Sequence, residues 1–267
     1  MIKYKFYIFT VLFLIAFNVS AVCKEVEKKR FSIEGSFSWT HVSNSSNWLY
    51  DFQKLTAFPL KEFDISLYHE GYTRWGQRDD SVGVGAKIKP LELTTVVLDL
   101  YYVPENDFLA RTRSLVEIVQ NFWWHKQLVF SFGYSFYDFG EQEVDEDANE
   151  YVYVNMLTPG AEYYFPLGFF VGYKAFLVLN RKNELVHAHM GYLSYDNEKY
   201  ILGTLGFSLG DEFATSFSST GVNVRNFFGK ALIKVLCPFY FSILYQHTIT
   251  NSNAHRNEIF LGVRYDF

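Results

Sequence analysis

The chain has 267 residues, a formal charge of −5, two cysteines, 20% aromatic residues and a mean hydropathy of −0.03. The acidic balance, with no basic stripe carrying interleaved aromatics, excludes nucleic-acid binding, and two cysteines are too few for a disulfide-stapled scaffold. The length suits one large all-β domain, and so much Phe and Tyr at a hydropathy near zero asks for a wall with one apolar and one wet face.

The first 21 residues have the layout of a secretory leader. Lys3 and Lys5 precede an apolar run over 6–17, and Val19-Ser20-Ala21 supplies small residues for cleavage after Ala21. The run is shorter than the roughly 20 residues that a spanning helix needs. Cys23 raises a lipoprotein alternative, which the bulky Val22 before it disfavours. Residues 22–30 are then a periplasmic N-terminal segment and 31–267 the folded domain. Charged and polar residues break every later apolar stretch.

From Phe31 the pattern has period 2. Phe31, Ile33, Phe37, Trp39 and His41 share one face, with Ser32, Glu34, Ser36, Ser38 and Thr40 on the other. The same alternation returns at Phe63-Ile65-Leu67, Val82-Val84-Ala86-Ile88, Leu128-Phe130-Phe132-Tyr134-Phe136, Phe169-Val171-Tyr173-Ala175-Leu177 and Ile201-Leu205-Phe207-Leu209. Prolines at 59, 90, 166 and 238 sit in short, similar contexts and mark tight turns. Longer polar segments at 43–47, 75–80, 103–110, 140–149, 210–218 and 249–256 lie between them. Tight turns alternating with long loops predict an all-β transmembrane antiparallel up-and-down barrel of an even number of strands, 14, with 12 as the alternative. Its location would be the outer membrane of a Gram-negative bacterium, with both termini in the periplasm. The alternation blurs over 218–236, where Gly229 reads as a bulge rather than a turn.

The last strand alternates Ile259, Leu261, Val263, Tyr265 and Phe267 with Glu258, Phe260, Gly262, Arg264 and Asp266. Gly262, Tyr265 and Phe267 resemble the signal that barrel-assembly machinery reads on a terminal strand; Phe260 departs from it, since a polar residue is usual there. Several stretches also resemble the YaiO family of outer-membrane barrels: Gly133 to Phe139, Leu157 to Phe165, Phe169 to Ala175, His189 to Leu193, Leu209 to Glu212 and Leu261 to Phe267. The resemblance implies an outer-membrane place, surface polysaccharide as an associated partner, and no established catalytic residues.

Candidate chemistry is sparse. His187 and His189 share a strand face, which is lumenal if Val186 and Met190 face lipid, but two imidazoles without further ligands make no metal centre. The carboxylates of Glu141 to Glu150 read as a solvated external loop and lack the glycine and terminal Glu of a calcium loop. His41 and Ser43, in the quartet His41-Val42-Ser43-Asn44, resemble the His-x-Ser-Asn of PagL-type lipid A deacylases. In that family the motif lies late in a smaller barrel, whereas here it ends the first strand. No P-loop, dinucleotide fingerprint or cofactor site is present in the sequence. The expectation is a non-enzymatic passage or surface component among outer-membrane lipid and lipopolysaccharide. The alternative is an acyl hydrolase using His41 and Ser43. Tyr68, Tyr137 and Phe170 are expected to point into the lumen and narrow it.

Overall fold

Alternating side chains with no thick interior to fill leave one solution: a sheet that closes on itself. In the computed structural model the described chain covers residues 30–267, apart from 44, 123–126, 146–147, 180–184, 198–199, 213–221, 237 and 252–253. Ala21, Cys23 and Cys237, and with them any Cys23–Cys237 bond, lie outside the described residues.

Fourteen antiparallel strands run in chain order: β1 (Phe31–Val42), β2 (Trp48–Leu60), β3 (Phe63–Arg74), β4 (Gln77–Leu91), β5 (Thr94–Tyr102), β6 (Thr112–Asn121), β7 (Leu128–Asp145), β8 (Ala148–Tyr164), β9 (Phe169–Leu179), β10 (Leu185–Asp196), β11 (Ile201–Glu212), β12 (Val222–Leu236), β13 (Phe239–Thr250) and β14 (His255–Asp266). Each pairs with its sequence neighbours, and β1 pairs with β14 from Ser32↔Asp266 to Val42↔Arg256, so no edge is left open. Phe31 and Phe267 exchange backbone hydrogen bonds of 2.8 and 2.9 Å, and their rings stack at 5.7 Å. Both ends of the barrel therefore lie at one rim. The Pro238 turn is at that rim too, since Asp266 N donates to Pro238 O at 3.1 Å. A twelve-residue strand such as β1, at about 3.3 Å per residue and tilted about 40°, rises roughly 30 Å, the height of a bilayer core.

The distribution of polarity is inside out. The buried side chains of the lumenal wall are mostly hydroxylic: Ser32, Ser36, Ser38, Thr40, Thr56, Ser66, Ser135, Thr158 and Ser194. Phe37, Leu67, Val84, Phe132, Tyr173, Leu205 and Leu261 stand exposed on the outer wall. A water-soluble domain could not expose this much apolar surface.

Several expectations need correction in detail. Residues 75–80 are not a long loop: Trp75 and Gly76, with φ of 51° and 82°, make a two-residue hairpin turn, and β4 starts at Gln77. The 140–149 segment is not a loop either, because β7 continues to Asp145 and β8 begins at Ala148; cross-strand pairing satisfies backbone groups that a loop would leave to water. Gly229 is neither turn nor bulge. It pairs with Leu205 and Tyr245, and the register irregularity of β12 falls at Lys234/Leu236. The pattern blurs there because Phe228 and Leu232 occupy lumenal positions.

Candidate functional site: the lumen and its external mouth

Register assigns each side chain to lumen or wall, and the lumen is crossed by polar bridges. Glu70 on β3 takes Arg113 of β6 at 3.1 Å and the Ser81 hydroxyl at 3.3 Å, while the Arg113 guanidinium lies 3.8 Å over the Tyr101 ring. Lys174 on β9 reaches Glu117 on β6 at 3.0 Å, spanning two intervening strands. It can do so because the positions beneath are Gly133 and Gly160; a Cβ on Gly160 would meet Lys174 Cγ at 2.9 Å. Other lumenal glycines carry rings from the next strand: Tyr101 lies against Gly83, Tyr68 against Gly85, Tyr192 against Gly172 and Phe228 against Gly206. Tyr68 donates to Asp99 at 2.9 Å, and Tyr192 donates to Glu162. The glycine-aromatic motifs of the sequence are thus a packing code for a partly filled lumen. Tyr68 and Phe170 point inward as expected, Phe170 stacking on Tyr164 at 4.7 Å, and Tyr137 shares the lumenal parity of its partner Arg113.

The half of the barrel away from the rim of the termini, the external half of the expected topology, stays open. A cavity of about 490 Å³ extends from β1–β3 across to β11–β14, lined by Ser38, Thr40, Ser208, Asn226, Gln246, Thr248 and Glu258 together with an aromatic-cationic cluster. In that cluster two guanidiniums lie over the Trp48 indole, Arg74 at 4.4 Å and Arg256 at 4.8 Å from the ring centre. Tyr50 and Tyr72 meet beside it at 4.6 Å. The buried Trp48 Nε1–H finds no hydrogen-bond acceptor among the described residues.

A loop is latched over this mouth. Asp79, fully buried on the lumenal face of β4, accepts the amides of Asp107, Phe108 and Leu109 at 2.9, 3.0 and 2.7 Å. Asn106 donates to Phe139 O at 3.4 Å, so the loop between β5 and β6 is held from β4 to β7. Phe108 then meets the edge of Trp75 at 6.1 Å and faces Arg74 at 5.6 Å.

The residues singled out from sequence fall elsewhere. His41 and Ser43 lie near the external end of β1 but do not hydrogen-bond to each other. His41 Nδ1 contacts Asn47 Oδ1 at 3.0 Å, and Ser43 Oγ accepts the His255 amide at 2.8 Å. His187 and His189 face outward, not into the lumen. Ala188 and Met190 pair with the lumenal Phe176 and Lys174, which puts the histidines on the wall beside Leu185 and Leu193, and His189 contacts Tyr173 Oη at 2.6 Å. Phe260, the departure from the terminal-strand pattern, pairs with Leu244 in the lumenal row. Gly262 leaves room for Ser242 and Ser36, while Tyr265 meets Phe239 at 5.9 Å and Phe267 at 5.7 Å. The side chains of Glu141 to Glu150 lie outside those described. No three His, Cys, Asp or Glu among the described residues converge as a metal site. Sequence reasoning missed Trp48, Arg74, Arg256 and Asp79, because single Trp, Arg or Asp residues at strand ends carry no spacing signal.

No protein-family model and no curated protein matches the chain. Solved structures do. A bacterial polysaccharide outer membrane secretin aligns with a TM-score of 0.61 at 8% identity, over 90% of this chain and 99% of that one. The CymD monoaromatic hydrocarbon channel aligns at 0.57 and 7%, over 90% and 89%. The outer membrane protein Omp33 of Acinetobacter baumannii aligns at 0.54 and 13%, over 90% and 98%. Fold and comparisons together define the class: this is a closed antiparallel β-barrel of the outer-membrane type. At these identities the likeness is one of fold.

Proposed function

We propose that the barrel resides in a Gram-negative outer membrane and is a passage for small, polar, negatively charged solutes, acidic saccharides foremost. One observation carries this reading: the Arg74 and Arg256 guanidiniums gathered on the Trp48 ring inside the external cavity. The guanidiniums pair in plane with a carboxylate, and the buried Nε1–H is a donor awaiting a hydroxyl or carboxylate oxygen. Seryl, threonyl and amide side chains around them replace hydration as a solute enters. Glu258 in the same lining keeps the site from trapping anions too firmly. The YaiO-like motifs support surface polysaccharide as the wider context, with lipopolysaccharide as the surrounding lipid and the terminal Gly262-Tyr265-Phe267 pattern as the contact for the assembly machinery.

The passage reading is favoured over the acyl hydrolase because His41 and Ser43 hydrogen-bond away from each other. The test is conductance of the purified barrel in planar bilayers. Discrete channels are expected, blocked by glucuronate far more strongly than by glucose, with Arg74→Ala and Arg256→Ala each weakening the block about ten-fold, as loss of a charge-assisted hydrogen bond does. A folded barrel that conducts nothing would instead be a surface component with a closed lumen.

A further inference from the structure

The lumen of β12–β14 carries apolar side chains that the passage of a purely polar solute does not explain. Phe228 pairs with Gln246, Leu232 with Ser242, Leu244 with Lys230 and Phe260 with Ser38, all in the lumenal rows. They form one patch. Leu244 lies directly opposite Phe260, and Phe228 and Leu232 are its diagonal neighbours on β12, at the roughly 7–8 Å that large side chains bridge. All four are half-buried, whereas Val129, Val178 and Ala188, apolar side chains at other lumenal positions, are buried. Phe260 also stands where a terminal strand usually has a polar residue.

The patch continues the external cavity inward. Ser38 and Gln246, the cross-strand partners of Phe260 and Phe228, line that cavity, and so does Glu258, the lumenal residue before Phe260. Toward the rim of the termini the next lumenal residues are Lys234, Tyr240 and Arg264, with the Lys234 ammonium 5.9 Å and the Arg264 guanidinium 4.9 Å from the Tyr240 ring centre. The apolar surface is one-sided. Beyond β14 the rows pass from Phe260 to Ser38 and from Gly262 to Ser36, so hydroxyls of β1 take over and no apolar collar closes the passage.

Charge says what the patch meets. The lumenal charges of β12–β14 are Lys230, Lys234, Arg256 and Arg264 against Glu258 and Asp266, and Asp266 is already bonded to Arg264 at 2.8 and 3.0 Å. Cations therefore flank the apolar strip at both ends, and Lys230, exposed, lies directly beside Leu244. Water against such a strip is displaced favourably by solute carbon. A fully hydroxylated solute gains nothing there, because its hydroxyls would give up water without a partner.

Resting on the passage reading above, we propose that this strip is a second solute subsite, which takes the apolar body of an amphipathic carboxylate, an acid bearing an aromatic ring or a short acyl chain. Lys230 holds the carboxylate while the ring or chain lies over Leu244 and Phe260. Two strand spacings separate Lys230 from Phe260, roughly 10 Å, a span that a phenylalkanoate covers. Arg74 and Arg256 meet the acid first in the external cavity, and Lys234 and Arg264 face it on the way out. Among acids of equal charge, the strip favours those with an apolar body.

The test is single-channel recording of the folded full-length barrel in planar bilayers, with 3-phenylpropionate, glucuronate and 3-phenylpropan-1-ol as probes. Saturable block by 3-phenylpropionate is expected at about one tenth of the concentration that glucuronate needs, the factor given by covering roughly 60 Å² of apolar surface. The alcohol, which has no charge for Lys230, should block about ten-fold more weakly than the acid. Phe260→Ser and Leu244→Ser should each bring the ratio between the two acids toward one, and Lys230→Gln should weaken the block by 3-phenylpropionate about ten-fold. Heat-modifiable mobility checks that each variant folds, and the three probes on the unaltered barrel decide the matter if one does not. Equal block by the two acids, block by the alcohol as strong as by its acid, or a preference that survives in the folded Phe260→Ser/Leu244→Ser barrel would overturn the inference. A barrel that conducts and is blocked by glucuronate without preferring the phenyl acid refutes the strip alone. One that folds and conducts nothing removes the passage and the strip together.

Discussion

Substituting Asp79 by Ala should release the loop between β5 and β6 without unfolding the barrel. The carboxylate is fully buried and takes three consecutive amides, from Asp107, Phe108 and Leu109, at 2.7–3.0 Å. At the low end of about 1.5 kcal/mol for each hydrogen bond to a charged acceptor, the three hold the loop by roughly 4.5 kcal/mol. That corresponds to about a thousand-fold in the opening equilibrium of the loop. Global stability should change much less, because Ala also removes the cost of keeping a carboxylate out of water. Hydrogen exchange of the 107–109 amides reads the opening directly, with strand amides of β4 and β6 as the internal reference. Exchange faster by two to three orders of magnitude is expected at those three positions, with the strands unchanged. Asp79→Asn keeps one acceptor oxygen and should give an intermediate acceleration. If the loop shields the mouth, conductance should also rise in the Ala variant. Unaltered protection at 107–109 in a folded Asp79→Ala barrel would refute the latch, and uniform acceleration through β4 and β6 would make Asp79 a barrel-stability residue instead.

Two further outcomes follow from the same geometry. Deleting Phe267 removes its amide and carbonyl bonds to Phe31 and Arg30 and its ring contacts with Phe31 and Tyr265, so the folded, heat-modifiable fraction in membranes of expressing cells should fall several-fold, at about 1 kcal/mol per lost contact; an unchanged fraction would show that closure does not depend on this residue. Because His41 and Ser43 each bond elsewhere, Ser43→Ala and His41→Ala should leave lipid A acylation of cells carrying the protein as it was, and loss of acyl chains that depends on either residue would restore the hydrolase.

The period-2 alternation, the proline turns and the terminal aromatic strand were enough to read fourteen strands in a closed antiparallel barrel, because in such a sheet each residue's face follows from its parity alone. Parity does not say which face is the lumen when both carry polar and apolar residues, and that is why His187 and His189 were expected inside: only their pairing with Ala175 and Leu177, whose neighbours Lys174 and Phe176 line the lumen, places them on the wall. The same limit hid Gly229 in an unbroken strand, since Phe228 and Leu232 put apolar side chains on the wet face. The external cavity was beyond the sequence for a different reason. Trp48, Arg74 and Arg256 lie on β2, β3 and β14, and only the closure of β1 on β14 brings Arg256 to the indole that Arg74 also contacts. Local alternation determined the kind of wall this chain builds. What that wall encloses was decided by circular closure, which joins residues more than 200 positions apart, as when the His255 amide meets the Ser43 hydroxyl.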